Sequence, residues 1–448
     1  MKGSSFSRRD FLHSNSILGL FGTIFLNSSF TDKFNSKMPR ESILSGQEDL
    51  ILSIGETTLL DLRNKYRSEL FDNFLPKMDK IVIDHDFGGF MCDIDNKKGV
   101  LLSTKKRAWF EGRGIWLYSF LYNHFGNDPK HLEVASKSKD FILKHLPANG
   151  GFWNASYTKE GDPLPGPGDI FCNLYIAEGL AEYAKATGNG EYFDLSKKIL
   201  LECVKQYDRE EYAYTAEKSI KGPRVLNHWM IMLCNSTQML NYKHDSEIES
   251  LAKRCVDVIL DSHLNPDWRL LDITLTHNLA RLPDPELSRR VSFGLGVQAL
   301  WMVLSEAVRR KDIKLFDRAQ ELFRRHVEVA KDNVYEGYYW SLDNVSTYTF
   351  KLGKTLSLHD EILVGSLLLI EHKADKWASE CFSETYNYIR KNFIKEDYAF
   401  PVENGDRKLI NFSGKGMGIY HHPRQLMLNL LAIERIIARK GKVSDAFG

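Results

Sequence analysis

Two short segments carry side chains whose types and spacing suit chemistry on a polyol. The first reads Trp109-Phe-Glu-Gly-Arg113-Gly-Ile-Trp116. The second, Lys354-Thr-Leu-Ser-Leu-His359-Asp-Glu361, follows a Gly-Tyr-Tyr-Trp stretch. Arg113 and His359 each open an apolar run with helical spacing, so both side chains can face one mouth built from helix ends. Arginine offers a rigid fork of donors to hydroxyls and to a developing enediolate oxygen. Imidazole titrates near neutrality unperturbed, which suits removal of a weakly acidic C–H proton. Glu361, two residues on, can bind a hydroxyl or orient an imidazole. Trp109 and Trp116 share a helix face with Arg113, and indole rings stack on the apolar faces of sugars. Together these predict a carbohydrate site. Read alone, a histidine beside acidic residues is more often an ordinary surface group, and Arg113 could pair with Glu111 on a rim.

The elements that must position these residues are helices, one after another. Apolar residues recur at three- and four-residue spacing, as in Leu363, Leu367, Ile370 and Leu426, Leu430, Ile433. The spacing predicts helices over 48–67, 68–82, 108–125, 129–146, 170–188, 191–208, 225–242, 246–262, 293–311, 313–332, 357–372, 375–393 and 424–440. Breakers such as Gly126-Asn-Asp-Pro129 and Gly188-Asn-Gly190 fall between them. Every second helix begins near 108, 170, 225, 293, 357 and 424, a repeat of helical hairpins joined by alternating short and long connections. The long connections carry Gly-rich, strand-like pieces at 88–95, 150–156, 337–343 and 398–402, each read as part of a β-hairpin. The expected fold is all-α, an (α/α)6 barrel with short β-hairpins in the loops at one end. An open helical solenoid is the alternative.

The motif order is specific. Gly-Gly-Phe before Asp95, Trp109-x-x-Gly112-Arg113-x-x-Trp116, Gly151-Phe-Trp, His359-x-Glu361 and Tyr420-His-His-Pro-Arg424 resemble the N-acylglucosamine 2-epimerase family over the chain from about residue 50. That family also holds cellobiose 2-epimerases and isomerases of mannose and sulfoquinovose. The resemblance implies an (α/α)6 barrel. It implies His359 and Glu361 as catalytic residues, and Arg113, Trp109, Trp116, Asn235, Gln298, Trp301, His421 and Arg424 as substrate-binding residues.

The chain departs from the family pattern where Asn-Pro-Gly-His-x-x-Glu is usual. Here Ser292-Phe-Gly-Leu-Gly-Val-Gln298 places Leu295 on the second catalytic histidine and Gln298 on the glutamate. Gln238 likewise replaces an expected Glu, and Leu356 and Ser357 replace tryptophans. Inverting C2 needs bases on two faces, whereas moving a proton between C2 and C1 needs one. A one-histidine site therefore favours aldose–ketose isomerisation over epimerisation, unless His228 supplies the second base. The alternatives are a glycan-active hydrolase or lyase using carboxylates such as Asp169, Asp360 and Glu361, or an inactive sugar-binding protein.

Other classes lack support. Sixty basic residues against 59 acidic ones give no charge excess to hold nucleic acid or an anionic surface. No phosphate loop and no Gly-x-Ser-x-Gly elbow exist. His421-His422 has no third ligand at metal-binding spacing, so no metal and no cofactor are expected. Six scattered cysteines read as buried thiols. Ser7-Arg8-Arg9-Asp10-Phe11-Leu12 before the apolar run Ile17–Leu26 reads as a twin-arginine signal in residues 1–30, with a linker at 31–46 and the catalytic domain at 47–448. The expected partners are a mono- or disaccharide substrate and, for such a barrel, a second copy in a homodimer. The expected location is periplasmic or exported.

Overall fold

The computed structural model describes residues 50–147, 151–214, 219–408 and 420–447. The twin-arginine segment and the linker lie outside the described residues. A single compact unit spans Glu48–Gly448.

Twelve long helices form it. Helix α1 covers residues 59–82, and α2 to α5 are Ala108–His124, Pro129–Leu143, Ile170–Thr187 and Gly190–Tyr207. Helix α6 is Leu226–Tyr242, and α7 covers residues 246–262. Helices α8 to α12 are Phe293–Arg310, Ile313–Ala330, Leu356–Lys373, Lys376–Asn392 and His421–Ala438. The even-numbered helices make an inner ring, each touching the next, and α12 returns to α2 to close it. These inner helices are apolar nearly all round, as in Leu356–Lys373, where most residues are buried. The outer helices bury one stripe only, as Phe316, Ala319, Leu322, Phe323 and Val327 do on α9. The closed (α/α)6 barrel is therefore the fold, and an open solenoid is not.

The helix starts follow the expected repeat, with one correction. Residues 48–67 and 68–82 are not two helices. Gly55 sits at a φ of 58°, which turns residues 53–58 into a small hairpin, and the Thr58 hydroxyl accepts the Asp61 N–H at 3.2 Å, so the helix begins at Leu59. From there it runs unbroken to Val82, widening into π-helical turns on either side of the short segment that holds Pro76. This single helix is the outer partner of α12. The two ends of the described chain thus build the sixth hairpin: the Tyr66 hydroxyl accepts from Gln425 at 2.7 Å and from Asn429 at 3.3 Å.

The long loops gather where the inner helices start. Two-residue strands immediately before α2, α6, α8 and α10 each pair with the next long loop: Lys106–Arg107 with Ser156–Tyr157, Arg224–Val225 with Thr274–Leu275, Val291–Ser292 with the strand Ser341–Asn344, and Lys354–Thr355 with Asn404–Gly405. Hairpins form at 93–103 and 341–351, but residues 398–402 are irregular. These pairings stitch the loops into a collar around one mouth.

Candidate active site

The motif Gly112-Arg113-Gly114 owes its glycines to packing. A Cβ on Gly112 would overlap the Tyr175 backbone of α4, and one on Gly114 would overlap the Phe90 ring. Helices α2 and α4 can therefore approach closely, which sets Arg113 against Tyr175. The Arg113 guanidinium lies 4.1 Å from the Tyr175 ring centre, 4.6 Å from Tyr420 and 4.7 Å from Trp109. Its Nη2 donates to the Tyr175 hydroxyl at 2.7 Å, and its Nε has no protein partner. No carboxylate among the described residues pairs with this cation, so its charge is available to the cavity it lines.

That cavity holds about 590 Å³ at the collar end of the barrel, within the size range of small-molecule sites. Trp109, Arg113, Leu295, Gln298 and His421 line it, together with Asp169, Asn227 and Trp340. His421 is the only histidine among the lining residues. Its Nδ1 lies 2.6 Å from Glu361 Oε1, and its Nε2 has no protein partner among the described residues. A carboxylate at Nδ1 fixes the tautomer with the proton there, leaving the Nε2 lone pair as an acceptor. Glu361 is itself held by three donors: His421, Arg424 Nη2 at 2.5 Å and Trp301 Nε1 at 2.5 Å. Burial alone would raise its pKa, but Arg424, His421 and Trp301 outweigh burial and hold the carboxyl below its usual range. Burial lowers the His421 pKa, with Arg424 and Arg113 adding to the effect against the pull of Glu361. The imidazole is thus neutral at pH 7 and keeps 24% of its side chain exposed. A neutral imidazole with an unbonded Nε2 at the cavity has the chemistry of a general base.

The neighbouring histidine does something different. Successive helical residues point about 100° apart, and His422 turns away from the cavity. Its Nδ1 lies 3.0 Å from Asp360 and its Nε2 3.2 Å from Glu69. Burial opposes its charge, yet the two carboxylates raise its pKa to about 10. His422 is a protonated clamp joining α10, α12 and α1. Asp360 and Glu361 on α10 thus face His422 and His421 on α12 as two adjacent rungs.

His359 does not reach the mouth. It is fully buried, accepts the Tyr338 N–H at Nε2 (3.2 Å), contacts the Thr355 carbonyl through Nδ1 (2.7 Å) and stacks on Tyr388. An internal repeat explains why. Asp84 and Lys106 form a buried ion pair at 2.8 Å, and Asp332 and Lys354 form another at 3.0 Å, each pair 22 residues apart in the chain. Five residues after each lysine, a buried acceptor takes the N–H of the sixth residue after each aspartate. Glu111 accepts from Phe90 at 3.0 Å, and His359 accepts from Tyr338. His359 is the counterpart of Glu111 in a repeated loop-pinning device. The equal spacings were visible in the sequence and point to this structural role.

Five further expectations change place. Asn235 donates to the Leu174 carbonyl at 2.9 Å inside the core and does not line the cavity. Trp116 donates to Gln238 at 2.9 Å and lines a separate chamber, as do Trp301 and Arg424. Trp301 reaches the mouth through Glu361, and Arg424 through Glu361 and through its Nη2, 3.5 Å from His421 Nδ1. His228 lies behind the cavity wall, boxed by Phe171, Tyr207, Tyr212 and Tyr214, with neither ring nitrogen bonded among the described residues. Leu295 and Gln298 stand where they were expected, in the cavity. The Gln298 side-chain amide lines the cavity with no hydrogen-bond partner among the described residues, which leaves it for a hydroxyl. Sequence reading missed Tyr175, Tyr420 and Asn227. Tyr420 anchors the floor by donating to Glu178 at 2.6 Å.

The sequence profile of the family described as N-acylglucosamine 2-epimerase (GlcNAc 2-epimerase) matches residues 88–421. Cellobiose 2-epimerase of Bacteroides fragilis is 20% identical over 75% of this chain and 88% of its own length. N-acylglucosamine 2-epimerase of Bos taurus is 21% identical over 83% of this chain and 93% of its own. The crystal structure of a sugar epimerase from a ruminal bacterium superposes with a TM-score of 0.71 at 16% identity, covering 83% of this chain and 98% of that one.

Proposed function

The chain belongs to the N-acylglucosamine 2-epimerase family, and from that premise we propose that it is a cofactor-independent isomerase of a reducing mono- or disaccharide. The observation that carries the reading is that His421, backed by Glu361, and an Arg113 with no carboxylate partner among the described residues line one cavity. In this reading His421 Nε2 removes the proton from C2 of the open-chain aldose. Glu361 steadies the imidazolium that forms, while Arg113 holds the oxygen on which enediolate charge develops. The proton returns from the same imidazole to C1, O2 gives its proton up to O1, and the product is the ketose.

Delivery to the opposite face of C2 would need a second base, and Leu295 lines the cavity without offering one. This supports isomerisation over epimerisation. A two-carboxylate hydrolase fits poorly, because Asp169 is the sole carboxylate among the lining residues. Export through the twin-arginine segment at residues 7–12 is part of the same proposal and is tested by fractionating cells that express the full chain.

The deciding experiment is proton NMR in heavy water with mannose, glucose, N-acetylglucosamine and cellobiose. Deuterium at C2 together with ketose formation is the expected result, and a C2 epimer as main product overturns the one-base mechanism. Leu295→His, which puts an imidazole back into the cavity wall, is expected to make the epimer appear alongside the ketose. His359→Gln is expected to leave exchange within about threefold of wild type. It should still lower stability by about 2 kcal/mol, because the backbone groups it serves lose good geometry. Loss of exchange by His359→Gln in a folded protein would return the base to position 359.

A further inference from the structure

The inner ring encloses a second chamber, of about 360 Å³, nearer the C-terminal ends of the inner helices. On α2 its walls are Trp116 and Phe120, one to three turns beyond the residues of the mouth, and the exposed Lys185 and Asn241 stand at its rim. The wall is chiefly apolar: Trp116, Phe120, Trp301, Met302 and Leu428. Buried polar side chains interrupt it, among them Glu178, Glu182, Thr237 and Arg424, and of these four Glu178 and Arg424 keep atoms without a hydrogen-bond partner among the described residues. Glu178 is 1% exposed, and its Oε2 has no hydrogen-bond partner among the described residues. Arg424 is 2% exposed, and its Nε and Nη1 have none among the described residues, since Nη2 alone reaches Glu361 and His421.

Buried polar atoms left unpaired cost free energy, so a cavity lined by several of them is completed by something that bonds to them. Here the unpaired atoms are of opposite kinds. A carboxylate oxygen seeks a donor, and guanidinium N–H groups seek an acceptor. A cation would meet the guanidinium, and an anion the carboxylate, each at a repulsive cost in a site shielded from water. A hydroxyl group donates and accepts at once and satisfies both. The rest of such a molecule must match the aromatic and aliphatic wall. We propose that this chamber is a second binding site, for a small uncharged molecule that joins an apolar ring or chain to a hydroxyl group. The occupant would share the Arg424 guanidinium with Glu361, so the two ends of the barrel meet at a single side chain.

The test uses 2-phenylethanol as probe and ethylbenzene, its counterpart without the hydroxyl, as control. Binding to the full chain is followed by saturation-transfer NMR and by tryptophan fluorescence, since Trp116 and Trp301 line the chamber. Saturable binding of 2-phenylethanol is expected, at least tenfold tighter than ethylbenzene. Ser305→Trp, which fills the chamber from α8, is expected to weaken it tenfold or more. If that variant fails to fold, Leu428→Trp fills the chamber from α12 instead. Ethylbenzene binding as tightly overturns the hydroxyl assignment. Binding unchanged in the filled variants places the probe elsewhere and overturns the site. Absence of saturable binding by either probe leaves water as the occupant and also overturns it.

Discussion

His421→Ala is expected to reduce exchange of the sugar C2 hydrogen by about 10³-fold, the range that a positioned general base contributes. Its thermal unfolding should stay close to that of wild type, because the ring is partly exposed and only one of its nitrogens is bonded. Glu361→Gln should cost less in rate but more in fold, since it removes the countercharge of the buried Arg424. The pH profile gives a second reading of the same pair. The base acts when neutral, so activity falls with acid. Burial and the two arginines lower the His421 pKa, so the half-maximal rate should lie below the ordinary histidine value of about 6.5. Near-normal exchange in His421→Ala, or a rate that rises with acid, would remove His421 from the reaction.

The second large effect concerns stability. Burial, helped by the Arg224 charge, lowers the pKa of His228 to about 3. An unfolded chain protonates this residue near pH 6.5, and the folded chain does not. Above that pH both states are neutral and nothing is lost. As the pH falls from about 6.5 toward 3, the unfolded state alone gains the proton and stability declines. For one such residue the loss at pH 5 is about 2 kcal/mol. His228→Leu removes both the titration and two unbonded nitrogens. Measured by urea unfolding, the variant should gain about 2 kcal/mol relative to wild type between pH 7.5 and pH 5. A difference that does not change with pH would mean that the ring is solvated or bonded in solution.

Much of the barrel was legible because its cues are local. Periodicity, caps such as Asp128 and Asp312 and the glycine punctuation set the helices, and the alternation of loop lengths set the hairpins. The exception, residues 50–58, turned on the positive φ of Gly55, which a window of helical spacing does not register. The site was legible in part. Arg113 could be placed because its helix face is defined by Trp109 and by the two glycines. His359 does not reach the cavity and His421 does, for a three-dimensional reason. His359 and Glu361 are neighbours in the chain, yet one points to the loop that α10 pins and the other to Arg424. Which of His421 and His422 meets the cavity depends on the rotation of α12, fixed by contacts to residues about 60 and 350 positions away in sequence, Glu361, Asp360 and Glu69. No short pattern encodes that rotation. The repeat of Asp84, Lys106 and Glu111 as Asp332, Lys354 and His359 does encode the outcome for His359, and it is the clue with the widest use.

The sixth hairpin is made from opposite ends of the described chain, and this has a consequence for biosynthesis. Five hairpins can pair as the ribosome delivers them, but Tyr66 must wait for Gln425, and Glu69 for His422. Closure of so long a loop comes last and slowly. Because the His421–Glu361 pair of the proposed mechanism bridges α10 and α12, a nascent chain acquires that pair only in the final step, and a product truncated before α12 is expected to lack the proposed activity.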